Sequence, residues 1–262
     1  MTKYQSWVTL IALAILGGAA AAAPRTNEVG IVRYLDRYTF ADSAKGRERG
    51  VKNAADAIYA RIKEIGLTPE WVDPDIFMEQ RRGERDRFKR IVIPSAGEWY
   101  SRAIHEGMND YVQNGGLLVV NMSLVCEDNG DYVIGSKGGA TTKYPGDTFL
   151  GVFGHATANM TRIKAVAASA LTRGLTVDEW ITLEETMGGR KTRNISAEVV
   201  VISDHQTKTG KTVEQPFLTF KHQNKGACIY LVGQVGALTD KTVRQIFRNI
   251  FSNETREWLC LQ

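Results

Sequence analysis

The chain has 262 residues, with 33 Lys and Arg against 29 Asp and Glu, and 43% of it is apolar. That apolar share is ordinary for a globular protein and ample for a core, and the length suits one large domain or one domain with an extension. Cations are spread among acids rather than gathered into a stripe, which argues against a nucleic-acid footprint, and no nucleic-acid partner is expected.

Residues 1–23 read as a secretory leader. Lys3 supplies the charged start, Trp7–Leu16 the apolar stretch and Gly17–Ala23 the small-residue exit. Pro24 disfavours a cut just before it, so cleavage is expected after Ala22. The apolar run is short for a membrane span, and no stable span is expected after processing. A periplasmic or secreted protein follows, with residues 24–262 as a single α/β domain.

In chain order, Glu28–Leu35 is the first strand and Asp36–Glu48 a polar loop at its carboxyl end. Arg49–Ile65 is a helix with Val51, Ala54, Ala55, Ile58 and Ile62 inward, capped by Gly66. Pro69–Val72 is the second strand, and Phe77–Phe88 a polar helix or irregular connection. Within it Gln80–Arg90 alternates in sign and reads as a solvated helix face. Arg90–Ile93 and Leu117–Val120 are short, apolar and β-branched, as buried strands of a parallel sheet are. Between them Trp99–Gln113 has helical spacing, with Ile104, Met108, Tyr111 and Val112 on one stripe. Strand, helix and strand with short joints predict a right-handed parallel crossover. Residues 28–125 therefore read as βαβαβαβ.

Beyond Cys126 the pattern changes. Residues 127–146 are a long loop insertion or small hairpin, and Asp147–Val152 a short helix. Ile163–Ala168 and Trp180–Leu183 read as short strands around the turn Leu171–Leu175. Ala197–Ser203, Phe217–Lys221 and Ala227–Val232 are strands, the first two joined by a polar hairpin over Asp204–Glu214, which suggests antiparallel additions. Asp240–Phe251 is the last helix. The fold class expected is a three-layer, flavodoxin-like α/β sandwich with a mostly parallel central sheet. Cys126, Cys228 and Cys260 form no CxxC and have no metal-ligand spacing; no metal site and no cofactor are expected, and an odd count leaves at least one thiol over.

Three stretches carry a resemblance: IVIPSAGEWYSRAIHEGMNDYVQNGGLLVVN, DTFLGVFGHATANMTRIKAV, and FLTFKHQNKGACIYLVGQVG followed by a helix that includes Arg248-Asn-Ile250. Their order and spacing resemble class I glutamine amidotransferase-like domains, over roughly Glu28 to Phe251. The nearest branch is the one with the trimerisation domain of bacterial β-galactosidases and trehalose-utilisation-type proteins. Active members place a Cys in a tight G-x-C-x-G turn after the strand equivalent to Leu117–Val120. This chain has Asn121-Met-Ser-Leu-Val-Cys126 there, with no glycine beside a nucleophile, and neither His205 nor His222 is followed two places on by a carboxylate. The resemblance implies the fold and not the amidotransfer chemistry.

Candidate residues gather at the expected carboxyl ends of the parallel strands, where open α/β sheets bind ligands. Ser95, Gly97, Glu98 and Trp99 follow the Arg90–Ile93 strand; Glu98 would sit at a helix start and Trp99 would stack on a sugar or pack as a staple. Asn121 would fix a polar ligand or make a turn, and Gln234 would reach the same edge. His155, in Gly151-Val-Phe-Gly-His-Ala156, follows a glycine-rich turn and would be a base, a ligand contact or a structural histidine. The leading expectation is a non-catalytic domain that binds a small polar ligand or a partner protein, with homo-oligomerisation open; that the ligand is a carbohydrate is implied by the resemblance alone. The rival is an exported hydrolase using Ser123 or Cys126 as nucleophile with His155 as base, against which Ser123 as a cap and Cys126 as a small buried residue stand as the structural alternatives.

Overall fold

The computed structural model describes residues 26–33, 55–94, 99–121, 125–128, 131–133, 150, 152–194, 196–206, 210–233 and 240–261. The leader and the polar loop after the first strand lie outside them. Among the described residues no helix is long and apolar enough to cross a membrane.

The chain opens with β1 (Asn27–Val32), then α1, described over residues 55–64, and β2 (Pro69–Val72). Gly66, at φ +86, ends α1: its N–H donates to Lys63 O and the next N–H to Ile62 O. Two 3-10 turns, Pro74–Phe77 and Glu79–Arg81, and the one-turn α2 (Arg82–Arg85) lead to β3 (Phe88–Ile93). β4 (Trp99–Ser101), α3 (Arg102–Gln113) and β5 (Leu117–Asn121) follow. The predicted start of this helix is corrected. Trp99–Ser101 pairs in parallel with β6 (Val125–Asp128), which pairs with β7 (Asp131–Val133), so strand pairing overrides helical spacing there.

The second half contains β8 (Val152–Ala165), β9 (Trp180–Asn194), β10 (Glu198–Gln206), β11 (Thr212–Gln223) and β12 (Gly226–Leu231), then α4 (Lys241–Phe251) and α5 (Asn253–Trp258). Nine strands make one mixed sheet in the order β2-β1-β3-β5-β12-β11-β10-β8-β9. The first five are mutually parallel and the remaining four join antiparallel. β3 and β5 lie side by side in parallel, Arg90 opposite Leu117 and Ile93 opposite Val120, as their apolar runs predict.

Several expectations are corrected here. The strands foreseen at Ile163–Ala168 and Trp180–Leu183 are the inner parts of β8 and β9, two long strands paired to each other from Val152–Asn194 to Lys164–Trp180. Of the helix foreseen at Asp147–Val152, Leu150 is helical and Val152 already belongs to β8. The hairpin foreseen over Asp204–Glu214 is mostly strand, since β10 reaches Gln206 and β11 starts at Thr212. A further helix, α5, follows the one foreseen as last.

The solvated face foreseen over Gln80–Arg90 is also corrected: Arg85 and Arg90 are fully buried. Arg85 donates to Gly107 O (3.0 Å) and Asp110 Oδ2 (2.6 Å), and Arg90 to Glu28 Oε2 (3.3 Å) and Ser252 O (3.0 Å). A guanidinium can enter the interior when its fork meets several fixed acceptors. The core itself follows the pattern read from the chain. Ile104, Met108, Tyr111 and Val112 of α3 and Val243, Ile246, Phe247 and Ile250 of α4 are buried with β3, β5 and β12. Asp240 caps α4, accepting from Thr242 N and Val243 N, and also accepts from Glu184 N of β9, which ties that helix to the far edge of the sheet.

Candidate functional site

The carboxyl ends of β1, β3, β5 and β12 meet on one edge of the sheet. Asn121 closes β5 and is buried. Its Nδ2 donates to Leu231 O (3.0 Å) and Gly233 O (2.6 Å), so one amide straps the end of the neighbouring strand. Its Oδ1 is buried and has no hydrogen-bond partner among the described residues. Such an acceptor is costly to leave unmet.

The β8–β9 pair reaches this same edge. Gly189 of β9 forms a backbone bridge with Gly233. A Cβ on Gly189 would stand 2.8 Å from Val232 O, and one on Gly233 would stand 2.1 Å from Met187 Sδ. The crossing therefore depends on two residues without side chains. Asp204 fixes where β8 departs from β10: its carboxylate accepts from Thr161 N, Thr161 Oγ1, Arg162 N and Arg162 Nε at 2.8–3.0 Å. Burial works to raise its pKa, but these bonds outweigh it and hold the carboxyl below its ordinary value.

Of the candidate residues, Asn121 is placed as foreseen, at the end of the central strand pair. Ser95, Gly97, Glu98, Ser123 and Gln234 lie outside the described residues. Trp99 stands in β4, and Arg102 opens the following helix α3, which corrects the helix start foreseen at Trp99. Cys126 lies in β6 opposite Tyr100, next to Trp99 in the small sheet. His155 stands within β8, not after a turn. The register skips it between Gly154–Thr192 and Ala156–Lys191, so it is the extra residue of a β-bulge.

His205, foreseen in a polar hairpin, is a buried β10 residue whose two ring nitrogens have no hydrogen-bond partner among the described residues, and Ser203, two places before it, is buried with its Oγ likewise unmet. Sequence reading missed both. The clue available was that Ile202-Ser-Asp-His205 simply prolongs the apolar run before it. Cys228 is fully buried, and burial pushes its thiol far up, so it is a packing residue and not a nucleophile. Among the described residues no group of three or more His, Cys, Asp or Glu side chains could hold a metal ion.

No family model and no curated protein sequence matches the chain. Solved structures do. Gan42B, a GH42 β-galactosidase from G. stearothermophilus, aligns at TM-score 0.58 and 16% identity, over 91% of this chain and 31% of that one. A β-galactosidase from Bacillus circulans sp. alkalophilus aligns at TM-score 0.57 and 13% identity, over 89% and 30%. A cytoplasmic protein from Salmonella typhimurium aligns at TM-score 0.51 and 12% identity, over 86% of this chain and 97% of that one. The chain thus spans about a third of the β-galactosidases it matches, and at these identities the likeness is one of fold.

Proposed function

We propose that this chain is an exported, non-catalytic carbohydrate-binding domain, built as a three-layer flavodoxin-like sandwich of the glutamine amidotransferase-like type, that holds a small polar ligand at the carboxyl edge of its parallel strands. The observation that carries the reading is Asn121: a buried, rigidly held amide whose Oδ1 lacks a donor at the edge where open α/β sheets take ligands. A sugar hydroxyl entering beside Gly233 would supply that donor. The shared fold with parts of β-galactosidases supports the choice of carbohydrate. The turn after β5, Asn121-Met-Ser-Leu-Val-Cys126, with no glycine beside a nucleophile, supports the absence of catalysis.

The test is a thermal-shift and calorimetric screen of the mature protein against mono- and disaccharides, amino acids and metal ions. A sugar at a hundredfold its Kd should stabilise the fold by about 2.7 kcal/mol. Loss of that response in Asn121→Ala, with the fold intact by circular dichroism, places the site. A blank screen overturns the sugar reading in favour of a protein partner or a second copy of the chain. Ester or glycoside hydrolysis abolished by Ser123→Ala, Cys126→Ala or His155→Ala would replace it with the hydrolase. Export is checked by the mass of the protein recovered outside the cytoplasm, expected to begin at Ala23.

A further inference from the structure

The carboxyl edge does not stop at β12. β11 runs antiparallel to β12 and β10 antiparallel to β11, so the carboxyl end of β10, residues 203–206, comes out on the same edge as Asn121. The row is continuous. Asn121 holds the carbonyls of Leu231 and Gly233, Val232 N donates to Phe217 O (2.9 Å), and Gln215 stands opposite Ser203. Ser203 is also opposite Ile163 of β8, so its side chain shares a face with Ile163 and Gln215, both buried. His205, two places on, takes that face as well. Asp204 between them takes the other face, where Thr161 and Arg162 occupy its carboxylate.

Polar atoms without partners recur along this row. Among the described residues Asn121 Oδ1, Ser203 Oγ and both ring nitrogens of His205 are buried and make no hydrogen bond. All three residues are more than nine-tenths buried. Each such atom is costly until something meets it. Their chemistry specifies what that is. The amide oxygen only accepts, so it needs a donor; an imidazole offers one donor and one acceptor when neutral and two donors when charged; a serine hydroxyl does both. A carboxylate cannot donate to Asn121, and an ammonium cannot accept from the imidazole, whereas hydroxyl groups serve every member of the set. Neighbouring strands lie about 4.8 Å apart, so the step from β12 to β10 is about 10 Å. That is longer than one sugar ring and suits two linked ones.

We propose that the carboxyl edge takes a neutral oligosaccharide of two or more rings. One ring donates a hydroxyl hydrogen to Asn121 Oδ1, and the next meets Ser203 and His205 with its own hydroxyls. This rests on Asn121 as the sugar contact and names the substrate class for that site. A monosaccharide answers Asn121 alone; only a longer ligand answers the whole row.

Titration calorimetry of the full mature chain tests it with matched pairs: galactose and β-1,4-galactobiose, glucose and cellobiose, mannose and β-1,4-mannobiose. In the pair that binds, the disaccharide should be about tenfold tighter than its monosaccharide, and Asn121→Ala should abolish both. Ser203→Ala and His205→Gln should each bring the disaccharide to within about threefold of the monosaccharide. Ser203→Ala removes a hydroxyl that has no partner, so the urea midpoint of the free protein should hold or rise, which separates a lost contact from a lost fold. Amide shifts with the disaccharide should cover both β12 and β10. If the disaccharide binds no tighter than its monosaccharide, if its advantage survives both β10 variants, or if the shifts leave β10 untouched, the longer ligand is overturned while Asn121 stands as a sugar contact. If no pair binds, Asn121 falls as a sugar contact and the longer ligand falls with it.

Discussion

Asn121 shows how one side chain can organise an edge. Its two N–H groups are spent on the carbonyls of Leu231 and Gly233, and those bonds hold β12 in line beyond its last ladder pair. Asn121→Ala should therefore cost about 1–3 kcal/mol, read as a lower urea midpoint with an unchanged slope. Arg90 makes the complementary case at the amino end. Burial and the nearby Arg256 charge bring its pKa down to about 10, while Glu28 works to hold it up. Removing that counter-charge by Glu28→Gln leaves a fully buried guanidinium whose one remaining acceptor among the described residues is the Ser252 carbonyl. A loss of about 1–3 kcal/mol is expected by denaturant unfolding, below the full cost of stripping a buried pair because Glu28 is partly exposed. A neutral result would show that solvent already serves Arg90.

At the scale of elements, the departure of β8 from β10 is the feature on which the upper edge depends. Three strand pairs, Val201–Ala165 to Ser203–Ile163, bind β8 into the sheet, and Asp204 then takes over the next N–H groups. Its carboxyl titrates below its ordinary value when folded, so the unfolded chain binds the proton more readily. The stability it contributes is complete above the unfolded carboxylate pKa, near 4, and is lost as pH falls through the lower folded value. Asp204→Asn should be destabilised at pH 6, and its deficit against the parent should narrow as both are titrated into acid. Equal urea midpoints at pH 6 would mean that β8 is held by its ladder alone.

For the whole molecule, burial sorts the thiols. Cys228 is buried within β12 of the sheet and Cys260 lies on the surface at a left-handed turn, both free thiols. In a Cys126→Ser background, a disulfide-exchange reagent should therefore react with one thiol in the native protein and with the second only on unfolding. Two fast thiols would mean that β12 opens locally, against its six consecutive buried residues.

What the amino-acid order determined by itself was the central parallel pair and its helix. Arg90–Ile93, Leu117–Val120 and the Ile104–Val112 stripe are each defined by neighbours in sequence, and burial on both faces leaves them little choice of register. The carboxyl-end position of Asn121 was legible for the same reason, because it follows directly from the end of that strand. The reach of β8 and β9 was not legible. Their outer halves hold glycine, threonine and charge with no periodicity of two, and they are strands because each finds the other across many residues. Nor could the buried Arg85 and Arg90 be told from solvated cations, since acceptors supplied by Gly107, Asp110, Glu28 and Ser252 come from distant positions in the chain. Only the tertiary structure decided those, because a polar group's cost in the interior depends on partners that chain order does not reveal.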